Sequence, residues 1–450
     1  MKNFHDVTGY LYSLRNRGAR LGTGRIMRLV KALGSPQDSF DSIAIGGTSG
    51  KGSTAIMVSS ILKNGGFRVG TFTSPHLSDL TERIKADGKD ISKQELSEII
   101  LKIRETAESP DASLEPPTFF EAITAAAFLH FRNRGVDYAV LEVGLGGRLD
   151  ATRASKPLLS IITNVSLEHT RILGSTVEKI AYEKGGIIEP GGTLVTAATG
   201  KSLKVLEGIC RERNAKIIRV GKEVLLHRTG AGPEGQEFSL RLPRASYESL
   251  KTPLLGEHQV VNAACAVAAV AELKVGMPGI KETALRKGLA EAKWPGRMEI
   301  VKKHPLVLLD AAKDPEAIAC LRRTLESDFP RKRTITVLSI SSDKNIDAMV
   351  RGLAPVTETF VIARHRTMER AADPRVIAEK IRKHGGRCRT VPEVKKAVAE
   401  AVKLAGKEGM VVVTGSLFTV AEARELFQEK NAEWGREFNE LSPRQEVFKD

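Results

Sequence analysis

Short apolar runs alternate with longer amphipathic stretches along most of this 450-residue chain. Residues 42–45, 138–143 and 158–164 have the length and near-continuous apolarity of strands that are buried on both faces. Residues 118–131 and 176–184 have apolar positions at helical spacing. This alternation predicts βαβ units, and therefore an α/β fold with a mostly parallel sheet covered by helices on both faces.

The alternation is interrupted and then starts again. Residues 216–250 contain short segments and clustered glycines, which predict hairpins or an irregular β extension, and residues 293–297 have the composition of a linker. Beyond the linker the pattern predicts strands at 307–309, 334–338, 359–362 and 410–414 and helices at 315–326, 346–353, 374–383 and 394–404. We therefore expect an N-terminal domain over 1–294, a smaller Rossmann-like α/β domain over 295–428 and a polar tail over 429–450.

Composition limits the classes of function. The 69 basic and 54 acidic residues give a net charge of +15, which permits anionic partners such as nucleotides, polycarboxylates or nucleic acid. Only 5% of residues are aromatic and they do not interleave a basic stripe, which disfavours nucleic acid. No apolar run reaches the roughly 20 residues of a membrane span, and the N-terminus has no apolar signal-peptide core. The four cysteines lie far apart, which favours reduced thiols in the cytoplasm.

A glycine-rich segment, GGTSGKGS at residues 46–53, joins the first predicted strand to a helix. Glycines let the backbone approach phosphate oxygens, and a helix N-terminus supplies N–H groups for an anion. Lys51 adds a mobile cation for the β- and γ-phosphates, and the hydroxyl of Ser53 suits a phosphate or its magnesium. The strict P-loop spacing is not met, because Gly52 separates Lys51 from Ser53. A glycine turn with a chance lysine is the alternative, but the strand–turn–helix context favours phosphate binding.

Several polar residues follow predicted strands or helices. Glu142 lies at the end of an apolar run, where a carboxylate is costly unless it is paired or bound to metal. Ligands of open α/β sheets bind at the carboxyl ends of strands, so a magnesium ligand and a structural ion pair are equally good explanations of Glu142. Taken singly, His169 suits a helix cap or core, Lys184 suits a helix C-terminus, and Ser74 indicates only a turn.

In combination, the motifs resemble the folylpolyglutamate synthase/dihydrofolate synthase family of the Mur ligase superfamily. The matching segments are GTSGKGS at 47–53, SPHL at 74–77, ERI at 82–84, TFFEA at 118–122, LEVGLGGRLDAT at 141–152, ITNVSLEH at 162–169, EKGGII at 183–188, HQVVNAACA at 258–266, WPGRME at 294–299 and LLDAAKDP at 308–315. The resemblance implies an ATP-binding, P-loop ATPase-like domain over 1–294 and a glutamate-ligase domain over 295–428. It implies an ATP- and Mg²⁺-dependent amide ligase that joins L-glutamate to dihydropteroate, tetrahydrofolate or both through an acyl phosphate. It also implies a cytoplasmic monomer with small-molecule substrates and without nucleic-acid or membrane partners.

The resemblance also implies roles for individual residues. Those expected to contact ATP are Gly50, Lys51, Gly52, Ser53, Asn262, Arg297 and Asp310. The expected magnesium ligands are Ser74, Glu142 and His169. Lys184 corresponds to the family lysine that reacts with carbon dioxide to become a carbamate, and it joins Lys51 and His169 in the expected catalytic set. The expected lining of the pterin site is Phe119, Phe120, Glu121, Leu149, Asp150 and Ala151, since aromatic rings suit a flat heterocycle.

One departure from the family pattern bears on specificity. Lys313 and Asp314 stand where the family usually has His-Asn, near the nucleotide and the incoming amine. A Mur-type ligase for another acid, such as a modified pterin or a peptidoglycan precursor, is therefore an alternative. A basic P-loop ATPase that binds nucleic acid is a second, although it predicts an aspartate at the strand end where Glu142 stands. A nucleotide-binding regulatory protein without catalysis is a third.

Overall fold

The computed structural model describes residues 4–14, 20–109, 114–273, 280–329, 333–366 and 370–428. The chain forms two compact units, with the boundary in sequence between Trp294 and Pro295. The predicted polar tail, 429–450, lies outside the described residues. Across the described ranges, no helix combines the length and apolarity that a bilayer crossing requires.

The first unit is built on an eight-stranded sheet with the order β4-β3-β2-β5-β1-β6-β7-β8. Its elements in chain order are α1 (Phe4–Ser13), α2 (Gly24–Ala32), β1 (Asp41–Gly46), α3 (Lys51–Asn64), β2 (Val69–Phe72), β3 (Ile84–Ala86), β4 (Lys89–Asp90), α4 (Lys93–Glu108), α5 (Phe119–Arg134), β5 (Tyr138–Glu142), β6 (Leu159–Ile162), α6 (Thr170–Leu173), α7 (Val177–Gly185), β7 (Thr193–Thr196), α8 (Gly200–Glu212), β8 (Lys216–Arg219), β9 (Leu225–Gly232), β10 (Gly235–Leu242), β11 (Ala245–Thr252), α9 (Glu257–Leu273) and α10 (Glu282–Glu291). Strands β2, β5, β1, β6, β7 and β8 are parallel, whereas β3 is antiparallel to β2 and β4 to β3. The mostly parallel sheet expected from the sequence is confirmed.

The segment 216–250 was only partly predicted. Strands β9, β10 and β11 form a separate antiparallel sheet, as the clustered glycines indicate. Strand β8, however, pairs in parallel with β7 and extends the main sheet, so the hairpin alternative does not hold for residues 216–219. Only Ile218 of this edge strand is buried, and the sequence consequently lacks the continuous apolar run that marks a central strand.

The central strands of the first unit are buried on both faces. Ile43 and Ile45 of β1 pack in one apolar cluster with α3, α9 and α10, whereas Ala44 packs with residues of α8 in another. Helices α3 and α10 approach so closely that a Cβ atom added to Gly288 would lie 2.5 Å from the Cα atom of Ile61. Glycine is therefore needed at position 288 because two helix backbones meet there.

The second unit contains a six-stranded sheet with the order β12-β13-β17-β14-β15-β16. Its elements are β12 (Glu299–Lys303), β13 (Leu306–Leu309), α11 (Pro315–Asp328), β14 (Thr334–Leu338), α12 (Ile346–Leu353), β15 (Thr359–Ile362), α13 (Pro374–Lys383), β16 (Arg387–Thr390), α14 (Val394–Ala405), β17 (Met410–Thr414) and α15 (Leu417–Gln428). All of its pairings are parallel except that of β12 with β13. This is the Rossmann-like α/β unit expected from the sequence, with two additional edge strands, β12 and β16, whose side chains are mostly too exposed to form an apolar run.

Candidate nucleotide and substrate site

The glycine-rich loop connects the carboxyl end of β1 to α3. Gly47 and Gly50 have φ values of 135° and 83°, in the region that glycine adopts without strain. The ammonium of Lys51 donates to the carbonyl oxygens of Gly47 at 3.1 Å and Thr48 at 3.2 Å. Because the first N–H groups of a helix have no partners within it, the start of α3 and the folded-back lysine together form an anion site.

The end of β6 holds this loop in place. The amide oxygen of Asn164 accepts a hydrogen bond from the backbone N–H of Ser49 at 2.9 Å, and its carbonyl oxygen accepts one from Thr48 at 3.0 Å. The hydroxyl of Thr163 donates to the carbonyl oxygen of Ser49 at 2.6 Å. A Cβ atom on Gly47 would lie 2.0 Å from that hydroxyl oxygen, so the glycine makes room for the threonine.

Asn262 of α9 lies beside the same loop. A Cβ atom on Gly50 would lie 2.4 Å from the Asn262 side-chain oxygen. The Asn262 amide nitrogen donates to Gln259 Oε1 at 3.0 Å, which fixes the orientation of the amide. The structure thus brings together the five predicted ATP contacts of the first unit, namely Gly50, Lys51, Gly52, Ser53 and Asn262.

Lys184 reaches the loop from the last turn of α7. Its ammonium nitrogen donates to the Gly47 carbonyl oxygen at 2.8 Å, and only 3% of the residue is exposed. Burial and, to a smaller extent, the nearby charge of Lys51 lower the pKa of Lys184 to about 7, and Glu168 opposes the shift. A substantial fraction of this amine is therefore neutral near pH 7.

The predicted metal ligands lie on both sides of β1. Glu142 pairs in register with Ile45 on the neighbouring strand, is 4% exposed, and accepts a hydrogen bond from the Ser74 backbone N–H at 2.8 Å. His169 follows β6 on the other side, where its Nε2 atom lies 3.5 Å from Glu168 Oε1. The structure brings Ser74 and Glu142 together, and the side chain of His169 is 51% exposed.

Ser74 and Glu142 supply only some of the ligands that a hard cation requires. A carboxylate and a hydroxyl are the oxygen ligands that magnesium prefers, and both come from the edge of the sheet that carries the phosphate loop. Within the ranges that the structure describes, no three acidic, histidine or cysteine side chains cluster as a complete metal site. A metal held here would therefore need further oxygen ligands, such as phosphate or water.

A cavity of about 390 Å³ lies in the first unit, at the carboxyl ends of the parallel strands. Its lining residues are Arg20, Leu21, Gly22, Ser74, Pro75, Arg83, Thr118, Phe119, Phe120, Glu121, Gly144, Leu145, Leu149, Asp150 and Ala151. All the residues predicted to contact a pterin are in this one cavity. The Arg83 guanidinium carbon lies 5.4 Å from the centre of the Phe119 ring, and the Phe120 ring lies where a side chain at Gly144 would begin.

The carboxylates of Glu121 and Asp150 stabilise the walls of the cavity through hydrogen bonds and an ion pair. Glu121 accepts a hydrogen bond from the Thr118 N–H at 2.8 Å and forms an ion pair of 3.2 Å with Arg25. Asp150 accepts hydrogen bonds from the N–H groups of Gly144 at 3.1 Å and Leu145 at 3.0 Å. Its other oxygen accepts from the N–H and hydroxyl of the helical turn that follows. Burial raises the pKa of Asp150, and these hydrogen bonds oppose the shift.

One wall of the cavity could not be predicted from the sequence. Arg20, Leu21 and Gly22 belong to the segment between α1 and α2, which has no periodic pattern and makes no motif on its own. The Gly22 N–H donates to the Leu149 carbonyl oxygen at 3.4 Å, and this contact ties the segment to the opposite wall. Only tertiary contacts identify it as part of the site.

Two predicted ATP contacts, Arg297 and Asp310, belong to the second unit. The Asp310 carboxylate accepts hydrogen bonds from the N–H groups of Met298 and Ala312, each at 3.0 Å. Burial raises the pKa of Asp310, and the charge of Arg297 opposes that shift. Asp310 therefore fixes the backbone beside Arg297 at the beginning of this unit.

The fold and the phosphate loop define a Mur-type ligase. The sequence matches the Mur ligase middle domain over residues 45–270 and the Mur ligase, glutamate ligase domain over residues 296–417. It is 36% identical over 364 residues to the dihydrofolate synthase/folylpolyglutamate synthase of Bacillus subtilis, covering 80% of this chain and 85% of that protein. It is 33% identical to a Mycobacterium tuberculosis folylpolyglutamate synthase solved with ADP, with a TM-score of 0.86 over 95% of this chain and 99% of the other. The chain belongs to the folylpolyglutamate synthase/dihydrofolate synthase family.

Relatives in this family differ in length. A probable bifunctional folylpolyglutamate synthase/dihydropteroate synthase of Haloferax volcanii is 36% identical to this chain over 429 residues. That match covers 94% of this chain but only 50% of the relative, so the chain spans about half of that protein.

Proposed function

We propose that this protein is an ATP-dependent ligase that joins L-glutamate to the carboxylate of a pterin, either dihydropteroate or tetrahydrofolate. The observation that carries the proposal is the position of β5 between the phosphate loop and the cavity. On one side the Val143 N–H donates to the Ile45 carbonyl oxygen at 3.0 Å, just before the loop begins. On the other side Gly144 and Leu145 line the cavity. A carboxylate at the mouth of the cavity therefore lies close to a phosphate bound at the loop.

This proximity suits activation of a carboxylate. Carboxylates are poor electrophiles, so an oxygen of the acid attacks the γ-phosphorus of ATP, the bond to the β-phosphate oxygen breaks, and ADP leaves. The amine of glutamate then attacks the acyl carbon, and phosphate leaves with the electron pair of the carbon–oxygen bond. The amine loses a proton to solvent, and the products are an amide, ADP and phosphate. Such phosphoryl transfer depends mainly on positioning and charge neutralisation.

The chain's own groups supply much of that neutralisation. The N–H groups at the start of α3 and the ammonium of Lys51 face the same loop and would hold the β- and γ-phosphates. Ser74, Glu142 and His169 are the proposed magnesium ligands, and magnesium when bound would neutralise charge on the transferring phosphoryl group. Arg297 and Asp310 of the second unit are proposed to contact ATP.

Lys184 is proposed to become a carbamate. The neutral amine attacks carbon dioxide, forms a carbon–nitrogen bond and releases a proton, so an uncharged amine becomes an anion. The buried position and low pKa of Lys184 support this step, because only the neutral amine is nucleophilic. An anion at this position would favour the ammonium of Lys51 and a metal, both of which a lysine cation repels.

The proposed reaction needs only small molecules. We propose a cytoplasmic monomer whose partners are ATP, magnesium, L-glutamate and the pterin carboxylate, with no nucleic acid or membrane involved. A salt-dependent gel shift with single-stranded DNA or RNA would contradict this part of the proposal.

The decisive experiment measures phosphate release with ATP, Mg²⁺ and L-glutamate, with dihydropteroate, with tetrahydrofolate, or without a pterin. Product masses are measured in the same samples. We expect release that requires both glutamate and a pterin, with a product heavier by one glutamyl unit. Release with only one of the two pterins would assign the substrate. No release with either pterin, in a protein that binds ATP, would refute the substrate and direct attention to Lys313 and Asp314.

A further inference from the structure

Gly52 is the residue that breaks the usual P-loop spacing, and the structure shows what lies against it. Gly52 is buried in the first turn of α3, two residues after the helix N-cap. A Cβ atom at this position would lie 2.6 Å from Cζ2 and 2.9 Å from Cε2 of the Trp294 indole. The indole ring therefore occupies the space in which a side chain at position 52 would begin.

Backbone conformation does not explain this glycine. Gly52 is helical and is not among the residues with positive φ, so its conformation is open to any residue. Glycine inside a helix is less favourable than alanine by roughly 0.5–1 kcal/mol. The contact with Trp294, which is partly buried against the apolar cluster that contains α9 and α3, is therefore a reason for glycine here in addition to the expected approach of phosphate.

We propose that Trp294 is a positioning residue for phosphate binding, and that Gly52 and Trp294 form a matched pair. The indole ring sets the position of the first turn of α3, and hence the direction of the N–H groups that face the phosphates. This inference depends on the proposed binding of ATP phosphates at the loop. It assigns Trp294 no contact with nucleotide and no chemical step.

The proposal predicts a specific pattern of nucleotide affinities. Gly52→Ala adds a methyl group against the indole ring and so displaces the first turn of α3. We expect ADP affinity to fall by about tenfold or more, with a much smaller change for AMP, which lacks the β-phosphate. Trp294→Ala removes both the obstruction and the positioning contact, so the double variant should bind ADP about as well as Trp294→Ala alone and better than Gly52→Ala. Trp294→Phe, which keeps an aromatic ring, should bind ADP better than Trp294→Ala.

The experiment compares the dissociation constants of ADP and AMP by calorimetry for the two single variants, the double variant and the wild-type protein. Gly208→Ala is the matched control, because Gly208 is also helical and a Cβ atom there would meet nothing within 4 Å. That control should leave both affinities unchanged and slightly raise thermal stability.

Two results would overturn the inference. The first is a double variant whose fold-loss of ADP affinity equals the product of the fold-losses in the two single variants. The second is an ADP affinity in Gly52→Ala that equals that of the wild-type protein. If Gly52→Ala does not fold, Trp294→Ala and Trp294→Phe decide the question, because equal loss of ADP and AMP affinity would indicate a general structural effect. Absence of ADP binding in the wild-type protein would instead refute the proposed function.

Discussion

Replacing Lys184 with methionine should make the protein more stable near neutral pH. The change keeps the length of the buried side chain and removes an amine whose pKa is lowered from 10.5 to about 7. It also removes the donor at 2.8 Å from the Gly47 carbonyl oxygen, although that oxygen still accepts from Lys51 at 3.1 Å. Lost hydrogen bonding is therefore a minor, destabilising contribution of about 1 kcal/mol.

The larger contribution follows from proton linkage. Between about pH 7 and 10.5 the unfolded chain binds a proton at Lys184 that the folded chain does not, so wild-type stability rises with pH in this window. The fall in pKa from 10.5 to about 7 corresponds to a free-energy penalty of about 5 kcal/mol for keeping the protonated lysine in the folded chain. This penalty destabilises the protein in full below about pH 7 and disappears above about pH 10.5. The methionine variant should thus be more stable by about 4 kcal/mol at pH 7, and this advantage should shrink by about 1.4 kcal/mol per pH unit above it.

The assay is urea unfolding at pH 7, 8 and 9 in buffers freed of carbon dioxide. Tryptophan fluorescence reports on the first unit through Trp294, provided that Trp434, which lies outside the described residues, is replaced by phenylalanine in every sample. Lys201→Met is the control, because the Lys201 side chain is 79% exposed and its replacement should show no such pH dependence. A stability difference between Lys184→Met and wild type that is the same at pH 7 and pH 9 would refute the reasoning.

Three further changes test other parts of the structure. Gly288→Ala should destabilise the first unit by about 1–3 kcal/mol in urea unfolding, because the new methyl group meets the backbone of Ile61 at 2.5 Å; unchanged stability would contradict the close helix contact. Glu142→Gln should lower ligase activity by at least about tenfold and raise the magnesium concentration needed for half-maximal rate; an unchanged magnesium titration would count against its role as a ligand. Gly144→Ala should lower pterin-dependent phosphate release while leaving ADP affinity unchanged, because its methyl group would lie 2.4 Å from the Phe120 ring; equal losses in both measurements would exclude a local effect on the cavity.

The sequence predicted the fold better where strands are central than where they lie at edges. The central strands are buried on both faces, so their sequences are near-continuous apolar runs that can be recognised without a structure. These strands are β1, β5, β14 and β17. Edge strands such as β8 and β16 bury only part of their side chains, so their sequences resemble loops. The α/β class and the family were accordingly predictable, whereas the full strand order was not.

The candidate site was predictable wherever its residues belong to motifs. The phosphate loop and the residues around Phe119 and Asp150 were found in this way, and their proposed roles remain predictions. Arg20 to Gly22 and the contact between Gly52 and Trp294 were not, because residues distant in sequence meet there without any local pattern. The spacing of Gly52 did signal an irregularity, but its physical reason is visible only in three dimensions.

The acidic groups of the cavity have a consequence for inhibitor design. A basic substituent directed at Asp150 would have to compete with the N–H donors of Gly144 and Leu145, which already occupy one oxygen of that carboxylate. Glu121 is similarly engaged by Arg25. Compounds for this cavity should therefore gain affinity from flat, aromatic shape against Phe119 and Phe120 more than from added positive charge.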